Sequence, residues 1–279
     1  MANAKTNLAT PVLSISGATF GFDETPLWQD LTLDVAPGEF IAIIGTNGSG
    51  KTSLLRAILG QEQLRAGTIT IAGKPIGHGS RRIGYIPQHR NVDVSTPMRA
   101  RDLLSLGLNG HRFGLLWGGR KARARVEHIL DCIEGHDLAD LPVGQLSGGQ
   151  FQRFRVGQAV IDEPDLILAD EPLSALDLTQ QAVIAELLDR ERKDHSAAVL
   201  FVTHDVNPVL GMVDRVLYLA GGKFKIGTPD EVLRSEVLSE LYGSPIDVVR
   251  NQGRVVVVGT QAHDHHHPDH DHHPDEVWN

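Results

Sequence analysis

The sequence predicts an α/β fold built on a buried, parallel β-sheet, with a small helical subdomain inserted into it. Three observations carry this prediction. Short runs rich in Val and Ile, bounded by Gly, Pro or Asp, are mixed with longer amphipathic segments. Several of the runs, such as Leu166–Asp170 and Val199–Thr203, are apolar almost throughout, as strands covered on both faces are. A glycine-rich loop at residues 45–52 has an apolar strand before it and an apolar helix after it. The chain has 279 residues, 41% of them hydrophobic and 22% charged. That suffices for one large domain or two small ones with a real core, and it excludes disorder of the whole.

In chain order, residues 1–10 carry one Lys and no apolar centre, so no secretory signal is expected there. Thr32–Val35 and Phe40–Ile44 read as the first strands, and Gly50–Leu59 as a helix. Thr68–Ile71 and Arg82–Ile86 read as further strands. From Val92 to Gln145 the texture becomes helical with loose glycine joins at 107–114 and 118–119, which suggests the insertion. Within it, Val126, Ile129, Leu130 and Ile133 recur at helical spacing in a helix Arg120–Glu134. Gln150–Ile161 reads as the next helix. Strand Leu166–Asp170, helix Gln180–Arg192, and strands Val199–Thr203 and Val216–Leu219 complete the core. Residues 263–279 hold seven His interleaved with Asp and Pro, without hydrophobic periodicity, and read as a disordered tail.

Charge and cysteine usage narrow the function classes. Lys plus Arg number 26 and Asp plus Glu 35, a net −9, and five of those nine excess charges sit in residues 263–279. A chain this acidic argues against nucleic-acid binding. The basic run Arg120, Lys121, Arg123 and Arg125 reads as a solvated helix face. Cys132 is the single cysteine, which forbids an intrachain disulfide, favours a reducing compartment, and reads as a small buried hydrophobe. No apolar run approaches the ~18–20 residues that span a bilayer.

Two motifs carry chemistry. Residues Gly45-Thr46-Asn47-Gly48-Ser49-Gly50-Lys51-Thr52 satisfy G-x-x-x-x-G-K-[ST], followed by the helix that begins at Ser53. Glycines let the backbone wrap phosphates closely, and the loop N–H groups together with the helix N-terminus face the anion. Lys51 neutralises phosphate charge and Thr52 offers its hydroxyl to Mg²⁺. Such a loop needs a partner carboxylate for the metal, and Leu166–Glu171 supplies Asp170 at the end of an apolar strand, with Glu171 beside it to polarise an attacking water.

With Leu146-Ser147-Gly148-Gly149-Gln150, where Ser147 lies 23 residues before Asp170, the chain resembles the nucleotide-binding subunits of ABC transporters from about Leu13 to Gly243. Gln88 in Gly84–Gln88 looks like that family's Q-loop glutamine, Ser174–Asp177 like its D-loop and His204 like its switch histidine. Phe22 sits where the family places an adenine-stacking aromatic, although Phe20, two residues away, competes for the core. Phe151, Gly157 and Gln158 depart from the usual residues after the signature, without removing a nucleotide contact. The resemblance implies a P-loop NTPase fold of the ABC type: an ATPase domain at 12–245 with the helical subdomain inserted at about 92–160, a C-terminal extension at 246–262 and the tail at 263–279.

What the resemblance implies for function is specific. Phe22, Gly45, Asn47, Gly48, Ser49, Gly50, Lys51, Thr52 and Ser53 would bind ATP, with Mg²⁺ held through Thr52, Gln88 and Asp170. Glu171 would be the catalytic base, assisted by His204 and Gln88. Ser147, Gly148, Gly149 and Gln150 would complete the site of a partner copy in a head-to-tail homodimer. A separate integral-membrane permease, and indirectly a periplasmic or extracellular metal-binding protein, would complete a system at the cytoplasmic face of the inner membrane. Residues 93–107 and 227–243 resemble the corresponding stretches of bacterial zinc and manganese uptake ATPases. Zinc is the expected cargo; manganese, iron or an iron chelate are the alternatives, and a soluble non-transport ABC ATPase lies further off. In the tail, His263, His265, His266, His267, His270, His272 and His273 are candidate Zn²⁺ ligands, because neutral imidazole suits late first-row cations.

Overall fold

The computed structural model describes residues 10–22, 25–77, 80–88, 97–109, 119–174 and 176–259. The elements are β1 (Leu13–Phe20), β2 (Trp28–Val35), β3 (Phe40–Gly45), α1 (Lys51–Ile58), β4 (Ala66–Ile71), β5 (Lys74–Pro75), β6 (Ile83–Ile86), α2 (Ala100–Asn109), α3 (Arg120–Cys132), α4 (Gly148–Val160), β7 (Leu166–Asp170), α5 (Leu178–His195), β8 (Ala198–Val202), β9 (Arg215–Ala220), β10 (Lys223–Gly227), α6 (Pro229–Val232), α7 (Ser235–Tyr242), β11 (Ile246–Asn251) and β12 (Arg254–Gly259).

A six-stranded sheet runs in the order β10-β9-β3-β8-β7-β6, parallel from β9 to β6, with β10 added antiparallel to β9. Its strands alternate between two cores. Phe40, Ala42 and Ile44 face one core with α3, α4 and α5, while Ile41 and Ile43 face another with α1 and a four-stranded antiparallel sheet, β2-β1-β4-β5. The same period-2 split occurs in β8, where Val199 and Phe201 join the first core and Ala198, Leu200 and Val202 the second. This double burial is why the central runs are apolar at every position. Thr32–Val35 and Thr68–Ile71, read above as strands, lie outside the parallel sheet and belong to the antiparallel one, because β1 lies between them and pairs with both. Helix α1 has only 8 residues and would be marginal alone. Its Leu54, Leu55 and Ile58 are fully buried, each contributing about 1.5–3 kcal/mol.

Between β6 and β7 the described residues form α2, α3 and α4, which share one core. The departure at Gly157 has a steric reason: a Cβ there would lie 2.7 Å from Ile129 and 2.9 Å from Leu104. Gly107 is similar, 2.3 Å from the Gln158 carbonyl. Small residues thus let α4 approach α2 and α3 closely. Phe151 is nearly buried under the Arg155 guanidinium, 5.6 Å from its ring centroid. Two expectations are corrected here. Arg125 does not share the solvated face of Arg120, Lys121 and Arg123; it turns inward to Glu191 on α5, a carboxylate only 2% exposed, at 3.6 Å. Cys132 is half-buried rather than enclosed, because its sulfur accepts from Arg190 at 3.1 Å.

Beyond residue 245 the extension is a β-hairpin, β11–β12, turning at Gln252 and Gly253, both at positive φ. Among the described residues, no helix is long and apolar enough to cross a membrane.

Candidate functional site

The parallel strands end at one edge of the sheet, and the chemistry emerges there, as in open α/β sheets generally. β3 leads into the loop 45–50, β6 to Gln88, β7 to Asp170 and Glu171, and β8 to Thr203 and His204. The loop needs glycine at its two ends. Gly45 has φ 152°, and a Cβ there would lie 2.0 Å from the Leu219 carbonyl; Gly50, at φ 90°, lies 2.8 Å by the same measure from the buried Trp28 indole nitrogen. Trp28 thus packs under the loop as well as against Phe20, on which it stacks with ring centroids 5.5 Å apart.

A cleft of about 470 Å³ is lined by Phe22, Leu27, Asn47, Gly48, Gly50, Lys51, Thr52, Ser53, Gln88, Glu171 and His204. The Lys51 ammonium donates to the carbonyls of Gly45 at 2.9 Å and Thr46 at 2.8 Å. Burial depresses its pKa, while the charges of Glu171 and Asp170 oppose that shift. Thr52 Oγ1 donates to Asp170 Oδ1 at 3.2 Å. Asp170 is 2% exposed, and burial raises its carboxyl above the ordinary range, opposed by the Thr52 hydrogen bond. A hydroxyl and a carboxylate side by side form a hard-oxygen pair, the donor chemistry that suits Mg²⁺.

Glu171 sits at φ 51°, an uncommon conformation for a non-glycine residue. It is held there from several sides. Its N–H donates to Val202 O at 3.0 Å, and its carbonyl accepts from the Ser174 hydroxyl at 2.8 Å. Its carboxylate accepts from Gln88 Nε2 at 3.0 Å, and the His204 Nε2 lies 2.5 Å from its other oxygen. A carboxylate oriented by an amide and an imidazole at the mouth of a phosphate-type loop has the geometry to orient and deprotonate a water.

Of the two phenylalanines, Phe20 is buried, while Phe22 is 68% exposed and meets Phe20 edge-on at 5.2 Å. Phe22 therefore offers its ring to the cleft. Gly45, Ser49 and Asp170 are not among the lining residues; Ser49 and Asp170 are buried. Leu27 is a lining residue that sequence reasoning missed; its place beside Trp28, below the loop, follows only from the fold. Ser147, Gly148, Gly149 and Gln150 are not among the lining residues. They start α4 in a capping box, Ser147 Oγ accepting from Gln150 N at 3.3 Å and Gln150 Oε1 from Ser147 N at 2.8 Å. The capping box takes up the Gln150 N–H and leaves those of Gly148 and Gly149 at the helix terminus, where the helix dipole favours an anion. The seven tail histidines lie outside the described residues; among the described residues no group of three or more potential metal ligands occurs.

Comparison with known proteins identifies the family. Residues 28–174 fit the family model described as ABC transporter. The chain belongs to that family as one of its ATP-binding, ATP-hydrolysing components. It is 31% identical to the zinc import ATP-binding protein ZnuC of Halorhodospira halophila, over 92% of this chain and 89% of that one. With the manganese transport system ATP-binding protein MntB of Bacillus subtilis it shares 33% over 86% and 96%. An inward-facing structure of an ABC transporter assigned to the metal-chelate type superposes with a TM-score of 0.75 at 27% identity, covering 90% of this chain and 98% of that one. A dimeric ATP-binding cassette in a post-hydrolysis state with ADP and Pi superposes at 0.67, also at 27% identity, covering 77% and 98%.

Proposed function

We propose that this chain is the motor of a metal-cation importer, most specifically for zinc, acting through a separate membrane permease. The observation that carries the ATPase half is the clasp on Glu171 by Gln88 and His204 at the cleft that Lys51 and Thr52 also line, with Thr52 bonded to Asp170. Phe22 stacks on the adenine, the loop N–H groups and Lys51 hold the phosphates, and Thr52, Asp170 and Gln88 hold Mg²⁺. The metal ion, when bound, neutralises charge on the β- and γ-phosphates. Glu171 orients water and takes its proton, while His204 faces the γ-phosphate.

The α4 terminus does not line the cleft of its own chain, and in this reading its Ser147 side chain and the Gly148 and Gly149 N–H groups serve the ATP of a second copy. A head-to-tail homodimer then buries two identical sites. Support for a metal cargo comes from the zinc and manganese transport relatives, each similar over most of its length. Zinc is preferred over manganese because the tail offers imidazole, which suits Zn²⁺, whereas Mn²⁺ takes oxygen donors. A periplasmic or extracellular metal-binding protein feeds the permease, and the ATPase rides on its cytoplasmic face.

The test is metal uptake in a deletion strain grown in chelated medium, with zinc, manganese, iron and nickel measured. A zinc deficit rescued by the full chain and not by Glu171→Gln is the expected result. Unchanged zinc with depleted manganese or iron moves the assignment to that metal.

A further inference from the structure

The loop that carries His204 is hydrogen-bonded to the C-terminal hairpin through the Asn207 side chain. The loop itself is tightly knit: Thr203 Oγ1 donates to the Asp205 carbonyl at 2.7 Å and accepts from Asp205 N at 3.1 Å. Asp205 Oδ1 in turn accepts from Asn207 N at 2.9 Å and Asn207 Nδ2 at 2.7 Å. Asn207 then reaches 48 residues along the chain. Its Nδ2 donates to Val255 O at 3.0 Å, and its Oδ1 accepts from Val255 N at 2.7 Å. Every donor of that amide has an acceptor and its oxygen has a donor. An Asp or Leu in its place would break the pattern, because only an amide presents both functions side by side.

The hairpin is not merely draped over the loop. Val255 is buried and belongs to the same core cluster as Val206 and Val209. On its other side the hairpin is fixed to α7 and α6. Ser239 Oγ accepts from Ile246 N at 2.9 Å, Ser235 Oγ accepts from Val248 N at 2.9 Å, and the Arg250 guanidinium reaches Asp230 at 2.6 Å. Between hairpin and loop lies a second cavity of about 340 Å³, whose lining includes His204, Asn207, Val255 and Val257. His204 therefore borders both spaces: its Nε2 meets Glu171 at the cleft, and the residue also lines the cavity next to the hairpin.

We infer that the C-terminal hairpin is an intramolecular clamp that positions the His204 loop, and that Asn207 is its joint. Asn207 acts through His204 and is a positioning residue. This rests on the reading of the cleft as the ATPase site. The room behind His204 lets the loop shift when the joint is broken, and Asn207 supplies two of the hydrogen bonds that oppose the shift. Loss of the joint affects the step that uses His204, and leaves the phosphate-holding loop at 45–52 untouched.

The experiment is a double-mutant cycle on the full chain, with ATP turnover, ATP binding and thermal unfolding measured for His204→Ala, Asn207→Ala and the pair. Asn207→Ala is expected to lower kcat about tenfold, the loss of roughly one to two hydrogen bonds in the positioning of His204, with ATP affinity within about twofold. In the His204→Ala background the second substitution is expected to cost nothing further, because there is no imidazole left to position. Asn207→Gln, which keeps the amide but lengthens the arm, is expected to recover part of the rate. Multiplicative losses in the pair overturn the clamp, as does an unchanged kcat in a folded Asn207→Ala protein. Should Asn207→Ala unfold, Val255→Pro removes the N–H donor from the hairpin side and is held to the same cycle. If His204→Ala itself turns over like the parent, it is the ATPase-site reading that fails, and the two failures are told apart.

Discussion

Replacing Arg125 with Ala tests how the inserted helices are tied to the nucleotide core. The guanidinium on α3 is 17% exposed. It donates to Ile161 O at 3.0 Å, sits 3.4 Å from Glu163 and reaches 3.6 Å to Glu191 on α5. The three contacts differ in value. Glu163 is half-exposed, and such a pair contributes about 0–1 kcal/mol. Glu191 is 2% exposed, and the other basic side chain near it, His195, is 3.9 Å away. Removing one partner of a buried pair strands the other charge, a cost of about 3–5 kcal/mol. The whole fold stands at about 5–15 kcal/mol, so this loss is large.

The loss also has a pH signature. Burial, the largest cause, already holds the Glu191 carboxyl above the ordinary range, with Arg125 and His195 pulling it down. Without Arg125 it rises further. A carboxyl whose pKa is higher folded than unfolded contributes stability at low pH and loses it as pH rises through the folded value. The deficit of Arg125→Ala is therefore expected to grow from pH 5 to pH 8. Urea unfolding at both pH values reads it, and Arg125→Ala/Glu191→Gln is expected to recover much of the loss at pH 8. A deficit under about 1 kcal/mol at pH 8, the range of an exposed pair, or one that does not vary with pH, would refute the reasoning and reduce Arg125 to packing.

Three further outcomes follow from the site. Glu171→Gln keeps its hydrogen-bonding shape and is expected to hold ATP while turnover falls about 10²–10⁴-fold; near-normal turnover in a steady-state phosphate-release assay removes Glu171 as the base. Lys51→Ala deletes the buried ammonium beside Gly45 and Thr46 and is expected to weaken ATP binding about 10–150-fold, from roughly 1.5–3 kcal/mol for a charged hydrogen bond, which equilibrium dialysis with labelled ATP measures. Zinc added to the full chain is expected to be retained against a weak indicator chelator and to change ATP turnover, whereas a chain ending at Ala262 does neither; equal retention by both chains rules out the tail.

The parts of this fold that could be read from the sequence are those whose cause is local. β3, β7 and β8 are apolar at nearly every position because both of their faces are covered, so the run itself announces the strand. The loop 45–52 is readable because its geometry demands Gly at fixed offsets. β1 escaped because Gly17 and polar residues interrupt it, and its register against both β2 and β4 shifts after the first few pairs. The hairpin β11–β12 escaped although a short-range signal exists: two Val-rich runs are separated by Gln252-Gly253, a pair whose positive φ angles fit the tight turn that joins antiparallel strands.

The site itself divides along the same line. Lys51, Thr52 and Asp170 are marked by motif, and spacing finds them. What organises Glu171 is not local: Gln88 lies 83 residues before it, and His204 arrives from another strand end. Sequence can name these residues one by one through family likeness, but the clasp they form depends on β6, β7 and β8 being neighbours in one parallel sheet. Asn207 shows the limit of such reading. It lies in no motif, and its partner is a backbone amide 48 residues on, so no side-chain type at position 255 announces the contact. The strands bring the reacting groups to one edge, and the C-terminal hairpin reaches that same edge from behind. By the inference drawn above, the hairpin links residues after β12 to the His204 loop through Asn207, and the seven histidines begin four residues beyond the end of β12.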